Sequence, residues 1–243
     1  MQGTEIASHR GGAFLWPENS LEAFRNTLLL PVDLAECDVQ LSADGVPMVF
    51  HDATLDRMSE ASGPVAGQPA ARLERIRLRG AGGGCIPSLA AVAALFRGRD
   101  TRLQVELKTP ARGQQAPLLE GSLAVLEAAG IRGQCQIIAF DAELAAAAEG
   151  AGGLAGVAWL FGRGLLRQIG AGGVIAVART HGLGMVETEI EALDAELVGR
   201  LRGAGLRLGA WGANHAESIQ KALGLGLDLM ATDDPVLALR LRG

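Results

Sequence analysis

The stretch LAECDVQLSADGVPMVFHD, residues 34–52, decides the architecture. In Leu34–Gln40, Glu36 and Asp38 alternate with Ala35, Cys37 and Val39. Successive strand side chains point to opposite faces, so the two carboxylates share one face, about 6.6 Å apart, and Cys37 looks the other way. Asp44-Gly45 then marks a tight hairpin turn, because this pair tolerates positive φ. Val46–Phe50 reads as the returning strand, and His51-Asp52 follows directly.

Seven further short runs read as strands: Glu5–Ser8, Arg102–Leu107, Gln134–Ala139, Gly156–Leu160, Gly184–Glu189, Leu206–Trp211 and Leu227–Ala231. Ala/Leu-rich helical stretches lie between them. Asn19 with Glu22 reads as an N-cap and its box partner ahead of LEAFRNTLLL. Asp234-Pro235 reads as cap and first helical residue, and Asp141 and Asp194 as further caps. Most strand starts fall about one βα unit apart. Eight such units favour closure into a TIM (β/α)8 barrel, and the first strand–helix turn lacks the GxGxxG fingerprint of an open dinucleotide-binding sheet. A length of 243 residues suits one barrel domain over the whole chain.

One spacing is irregular. Between the hairpin and Arg102 lies a polar, Gly/Pro-containing insertion, roughly residues 52–86, expected as a small cap over the barrel mouth. The glycines at 80–84 read as a flexible loop within it. Helix Ser88–Phe96 resumes the barrel pattern.

Composition narrows the function. Hydrophobic residues make up 49%, enough for a large core. The net charge is −5 and no basic run occurs, which argues against a nucleic-acid surface. No apolar run reaches the ~18 residues of a membrane span. Cys37, Cys85 and Cys135 lie far apart without CxxC spacing, so reduced thiols are expected rather than a disulfide framework or a zinc site. MQGTEIASHRGG lacks a basic region followed by an apolar core, so no signal peptide is expected, and the expected address is the cytoplasm.

The chemistry gathers at strand ends. Glu106-Leu107-Lys108 repeats the alternation of Glu36-Cys37-Asp38 with one acid and one base. Charges facing into a barrel are costly unless paired or bound to an ion. Glu36, Asp38 and Glu106 could hold one divalent cation, Mg²⁺ or Ca²⁺, or be salt-bridged to Arg10 and Lys108; spacing leaves both open. His9-Arg10 follows the first strand and His51 the hairpin, where barrel catalytic residues collect. Two imidazoles suit general acid and base, with Arg10 and Lys108 supplying charge for an oxyanion. Trp211, at a strand end, reads as a pocket residue rather than core. His181 and His215 read as surface residues. Glu187 and Glu189 share a strand face and could reach the site, with a solvated or salt-bridged role favoured over that.

The ordered series His9-Arg10-Gly11, Glu18-Asn19-Ser20, Glu36-x-Asp38, His51-Asp52, Glu106-x-Lys108, Trp211-x-x-Asn214 and Asp228-x-x-x-Thr232-Asp233-x-Pro235 resembles the glycerophosphodiester phosphodiesterases. The resemblance runs from residue 9 to 235. It implies a TIM barrel with a short insertion after His-Asp, and hydrolysis of a small-molecule glycerophosphodiester to glycerol 3-phosphate and an alcohol. By motif it makes Glu36, Asp38 and Glu106 metal ligands and His9 and His51 the acid–base pair. Arg10 and Lys108 become phosphate binders, and Trp211 the wall of the pocket. It also implies a cyclic phosphodiester on the path. Ser20 stands where the family usually has Thr, Gly212-Ala213 where it has Thr-Val, and Met58 after Arg57 where Thr is frequent. These departures touch substrate preference. Competing readings are the same chemistry on a lysophospholipid, which needs an apolar patch at the mouth, a metal-dependent barrel lyase or aldolase, and a non-catalytic binding barrel.

Overall fold

Eight parallel strands close on themselves in the computed structural model of the chain, which describes residues 3–82, 84–108 and 113–243. They are β1 (Glu5–Ser8), β2 (Leu34–Leu41), β4 (Arg102–Leu107), β5 (Cys135–Ala139), β6 (Gly156–Leu160), β7 (Met185–Glu189), β8 (Arg207–Trp211) and β9 (Leu229–Thr232). Neighbours follow chain order, and β1 pairs with both β9 and β2, so the barrel has no edge. The ninth strand, β3 (Pro47–Val49), runs antiparallel on β2 with Val39 opposite Val49, and Gly45 in the turn has φ 78°. The strands expected from sequence are therefore present, in the expected barrel.

The alternation in each strand sorts two layers. Cys37, Val39, Val105, Ile137, Trp159 and Leu208 face outward into a large core shared with the helices. Ala7, Leu34, Ile138, Ala158, Leu160, Met185, Leu229 and Ala231 form a smaller apolar cluster. Glu36 and Asp38 take the inward positions of β2, Gln104 and Glu106 those of β4, with Asp38 in register with Glu106. Cys37 and Cys135 are fully buried.

Helix α1 (Leu21–Thr27) corrects one expectation. Its N-cap is Ser20, whose hydroxyl accepts the Ala23 N–H at 3.0 Å. Asn19 instead adopts φ 56° and donates its side-chain amide to Asp38 at 2.8 Å. Both residue types cap helices well, and the buried carboxylate draws Asn19 away. Asp141, Asp194 and Asp234 cap the helices Ala142–Ala151, Ala195–Gly203 and Pro235–Arg242 as expected.

The insertion, polar by composition, is not loose. Phe50, Leu55, Val65, Leu73, Leu78 and Ile86 pack around Met48 in a cluster separate from the barrel core, and α2 (Ala70–Leu73) adds one turn. Gly83, in the glycine run read as a flexible loop, lies outside the described residues. Among the described residues no helix is long and apolar enough to cross a membrane.

Candidate active site

Strand register brings the three carboxylates together. Glu36, Asp38 and Glu106 offer oxygens that all lie within 4.8 Å of one another, and all three are buried. Their counter-charges are unevenly shared. Lys108 Nζ lies 2.7 Å from Glu106 and 3.3 Å from Asp38, and Arg10 Nε lies 3.3 Å from Asp38. Burial would raise the Asp38 pKa, but Lys108 and Arg10 outweigh it and hold the carboxyl down at about 2. Among the described residues Glu36 accepts only the backbone N–H of Arg10, at 2.9 Å, delivered by a left-handed turn with Arg10 at φ 51°. Its Oε1 is buried without a hydrogen-bond partner among the described residues. Burial and the neighbouring Asp38 push its carboxyl up to about 8, and Glu106 is raised for the same reasons. Arg10 and Lys108 bridge Asp38 and Glu106, as one of the two readings left open by the spacing has it, but not Glu36, and among the described residues an orphaned buried oxygen remains within the three acids. An all-oxygen donor set of this kind fits a hard divalent cation.

Each histidine is fixed through the same ring atom. His9 Nδ1 donates to Asp233 at 2.6 Å, leaving Nε2 3.8 Å from Glu36. His51 Nδ1 donates to Asp52 at 2.6 Å. A carboxylate on Nδ1 fixes the ring and leaves Nε2 for proton transfer. Both carboxylates are themselves clamped. Asn214 donates to Asp233 Oδ2 at 2.6 Å and accepts the Asp233 N–H at 2.8 Å. Arg57 grips Asp52 with Nε and Nη2, then reaches Glu18 at 2.7 and 2.9 Å, and Glu18 holds Arg10 at 3.1 Å. Both clamps raise their histidine, but the balance against burial differs. Burial would lower His9, but the Asp233 hydrogen bond and the Glu36 charge raise it. Burial lowers His51, and Asp38 and Asp52 do not fully offset it.

These groups line one cavity. Its lining combines His9, Arg10, Glu36, His51, Gln104, Glu106, Lys108 and Glu187 with the apolar Ile138, Phe140, Leu160, Trp211 and Ala231. Trp211 packs edge-on to Phe140, ring centroids 5.5 Å apart, at the pocket rather than in the core. Every residue expected at the site is therefore at this cavity or, for Asp38, in the carboxylate cluster beside it. His181 and His215 do not line it. Of its two sequence readings, Glu187 takes the one that reaches the site: it is 1% exposed and lines the cavity, with no salt bridge among the described residues. Glu189 accepts the Arg163 N–H at 2.7 Å, at the start of the helix Arg163–Thr180. Asp52, Arg57, Glu18, Asn214 and Asp233 have no role in the sequence reading, and Asn19 has only that of a helix cap.

The Glycerophosphoryl diester phosphodiesterase family profile matches residues 9–237. A Glycerophosphodiester phosphodiesterase of Caldanaerobacter subterraneus is 35% identical over 114 residues, 44% of this chain and 46% of the relative, so the alignment spans under half of that protein. A crystal structure from Agrobacterium tumefaciens, assigned as a glycerophosphoryl diester phosphodiesterase, superposes with a TM-score of 0.93 at 29% identity, covering 99% of this chain and 98% of the other. An Oleispira antarctica phosphodiesterase, solved with its product sn-glycerol-3-phosphate, shares the fold at a TM-score of 0.84 and 21% identity, covering 98% and 96%. With nearly its whole length matched by one profile, the chain belongs to the glycerophosphoryl diester phosphodiesterase family.

Proposed function

We propose that the protein hydrolyses glycerophosphodiesters to glycerol 3-phosphate and an alcohol. The observation that carries this reading is the pair of histidines, each held through Nδ1 by a clamped aspartate, on one cavity with Arg10, Lys108 and the three-carboxylate cluster. Glu36, Asp38 and Glu106 would hold one divalent cation, Mg²⁺ or Ca²⁺, which when bound supplies neutralising charge to the phosphoryl group.

The protein's own groups do the rest. Arg10 and Lys108 bind the phosphate oxygens and stabilise charge as it builds. His51, held toward its neutral form, takes the proton of the glycerol 2-hydroxyl through Nε2. That oxygen attacks phosphorus, and the bond from phosphorus to the leaving alcohol breaks. His9, held toward its protonated form, gives its proton to the departing oxygen. The resulting cyclic phosphodiester is opened by water with the two roles exchanged. Trp211 and Phe140 wall the pocket, and segment 52–86 caps its mouth through Ala53, Pro64 and Ala66, which border the groove next to His51 and Lys108.

Following a glycerophosphodiester by ³¹P NMR tests the reading. The diester signal should convert to a phosphomonoester by way of a transient five-membered cyclic phosphate. A diester signal unchanged in the presence of Mg²⁺ or Ca²⁺ would overturn it.

A further inference from the structure

The floor of the cavity carries a carboxyl that the acid–base machinery leaves unused. Glu187 occupies an inward position of β7, 1% exposed, and borders the cavity. Its Oε1 accepts the Gln104 side-chain amide at 2.9 Å, and the same amide reaches Gln136 at 3.3 Å. Among the described residues the hydrogen bonding of its carboxyl reaches Oε1 alone, and Gln104 Oε1 is buried with no partner. The neighbouring strand makes room for it. Gly209 of β8 is in register with Glu187, and a Cβ there would sit 2.6 Å from the Glu187 Cγ. The side chain therefore lies where only glycine leaves space.

The surroundings define what this carboxyl can meet. Ile138, Leu160, Trp211 and Ala231 give the same cavity apolar lining, and Leu160 is in register with Glu187. A buried carboxyl with a free oxygen in such surroundings calls for a partner. A carbon skeleton fits the wall; a hydroxyl fits the oxygen. Burial and the nearby Glu106 push Glu187 up to about 7, so near neutral pH the group can accept or donate, and a hydroxyl can answer either way.

We propose that Glu187, seated by Gln104 and Gly209, hydrogen-bonds the terminal hydroxyl of the substrate's glycerol unit and makes the floor selective for a free polyol over an alkyl or acylated one. The inference rests on the functional reading above. In that reading the 2-hydroxyl is consumed by attack beside the histidines, and the terminal hydroxyl is the remaining polar group of the glycerol unit. A lysophospholipid acylated at that oxygen has no hydroxyl to offer, and its chain would meet the carboxyl.

Two phosphodiesters with the same leaving alcohol test this: one of glycerol, and one of propane-1,2-diol esterified at its primary oxygen, which keeps the attacking hydroxyl and lacks the terminal one. The wild type should favour the glycerol diester in kcat/KM by on the order of a hundredfold or more, as sites built to bond a hydroxyl do. Glu187→Leu should lose about ten- to a hundredfold on the glycerol diester and far less on the other, bringing the ratio toward one. Glu187→Gln, which keeps a donor and an acceptor, should retain most of the preference. Gly209→Ala, which displaces the Glu187 side chain, should weaken it, and answers the question should the leucine variant fail to fold. Calorimetric binding of glycerol 3-phosphate against 2-hydroxypropyl phosphate should show the same preference without turnover. Equal losses on both substrates, with the ratio unchanged in every variant, would overturn the inference while the functional reading stands. No turnover of either diester by the wild type would overturn the functional reading, and this inference with it.

Discussion

Asp233 holds His9 through Nδ1 at 2.6 Å across 224 residues of sequence, joining the end of the last barrel strand to the end of the first. Asp233 is in turn fixed by Asn214. The ring is positioned by closure of the barrel, not by its local segment. Asp233→Asn should keep the fold and lower kcat by about 10²–10⁴-fold, as loss of an orienting carboxylate does in comparable pairs. The Asp233 hydrogen bond and charge raise the His9 pKa, so their removal lowers it. The limb of the pH–rate profile that reports the protonated histidine should therefore move to lower pH. An unshifted limb would separate His9 from the acid role.

Cation affinity should depend on pH in a defined direction. In the cation-free protein burial and Asp38 push Glu36 up to about 8, so at neutral pH the carboxyl holds a proton that a cation must displace. Apparent affinity should rise with pH up to about 8, by as much as tenfold per unit, and level off above. Calorimetric titration with Mg²⁺ or Ca²⁺ between pH 6 and 9 checks this, with proton release read from buffers of different ionisation enthalpy. Constant affinity and no proton release would contradict it.

Glu187 should make stability pH-dependent. Its carboxyl is raised to about 7 in the fold, whereas an unfolded chain ionises it near 4.3. Below about pH 4 both states are protonated and the group contributes no difference. As pH rises through 4–7 the unfolded state loses its proton first, so the native state loses stability relative to it, by on the order of 3 kcal/mol. Glu187→Gln removes this loss. It should be more stable than wild type at pH 8, with the advantage shrinking towards pH 5, as measured by urea unfolding. An advantage independent of pH would contradict the assignment.

Ser20 and Asn19 should separate stability from activity. Ser20→Ala removes the cap of α1 and should cost about 1 kcal/mol with little change in kcat. Asn19→Ala places a β-carbon-bearing residue without a local hydrogen bond at φ 56° and removes the Asp38 partner. It should lower both stability and turnover. Thermal melts and steady-state rates on the two variants distinguish the roles, and a Ser20→Ala effect confined to kcat would reverse them.

The legible part of the structure is what short-range pattern encodes. Alternation in Leu34–Gln40 placed Glu36 and Asp38 on one inward face, and Glu106-Leu107-Lys108 repeated it on the next parallel strand. Strand-end positions placed His9 and His51 at one mouth. The ordered motifs identified the family, since their spacing reflects the whole barrel. The missed partners depend on closure. Nothing near Asp233 in sequence points to His9, and nothing near Arg57 points to Glu18. Asn19 and Ser20 are equally good caps until Asp38 is folded against one of them. The burial of Glu187 follows from Gly209 on the neighbouring strand, which leaves the space its side chain fills.

The central claim is that this cavity cleaves glycerophosphodiesters with a divalent cation and two histidines. Release of glycerol 3-phosphate from glycerophosphocholine tests it most directly, with protein stripped by EDTA and then resupplied with Mg²⁺ or Ca²⁺. The account predicts turnover with the cation, loss on stripping, recovery on resupply, and a fall of about 10²–10⁴-fold in His9→Ala and His51→Ala. No glycerol 3-phosphate from this or any related diester, or turnover untouched by both histidine substitutions, would contradict it.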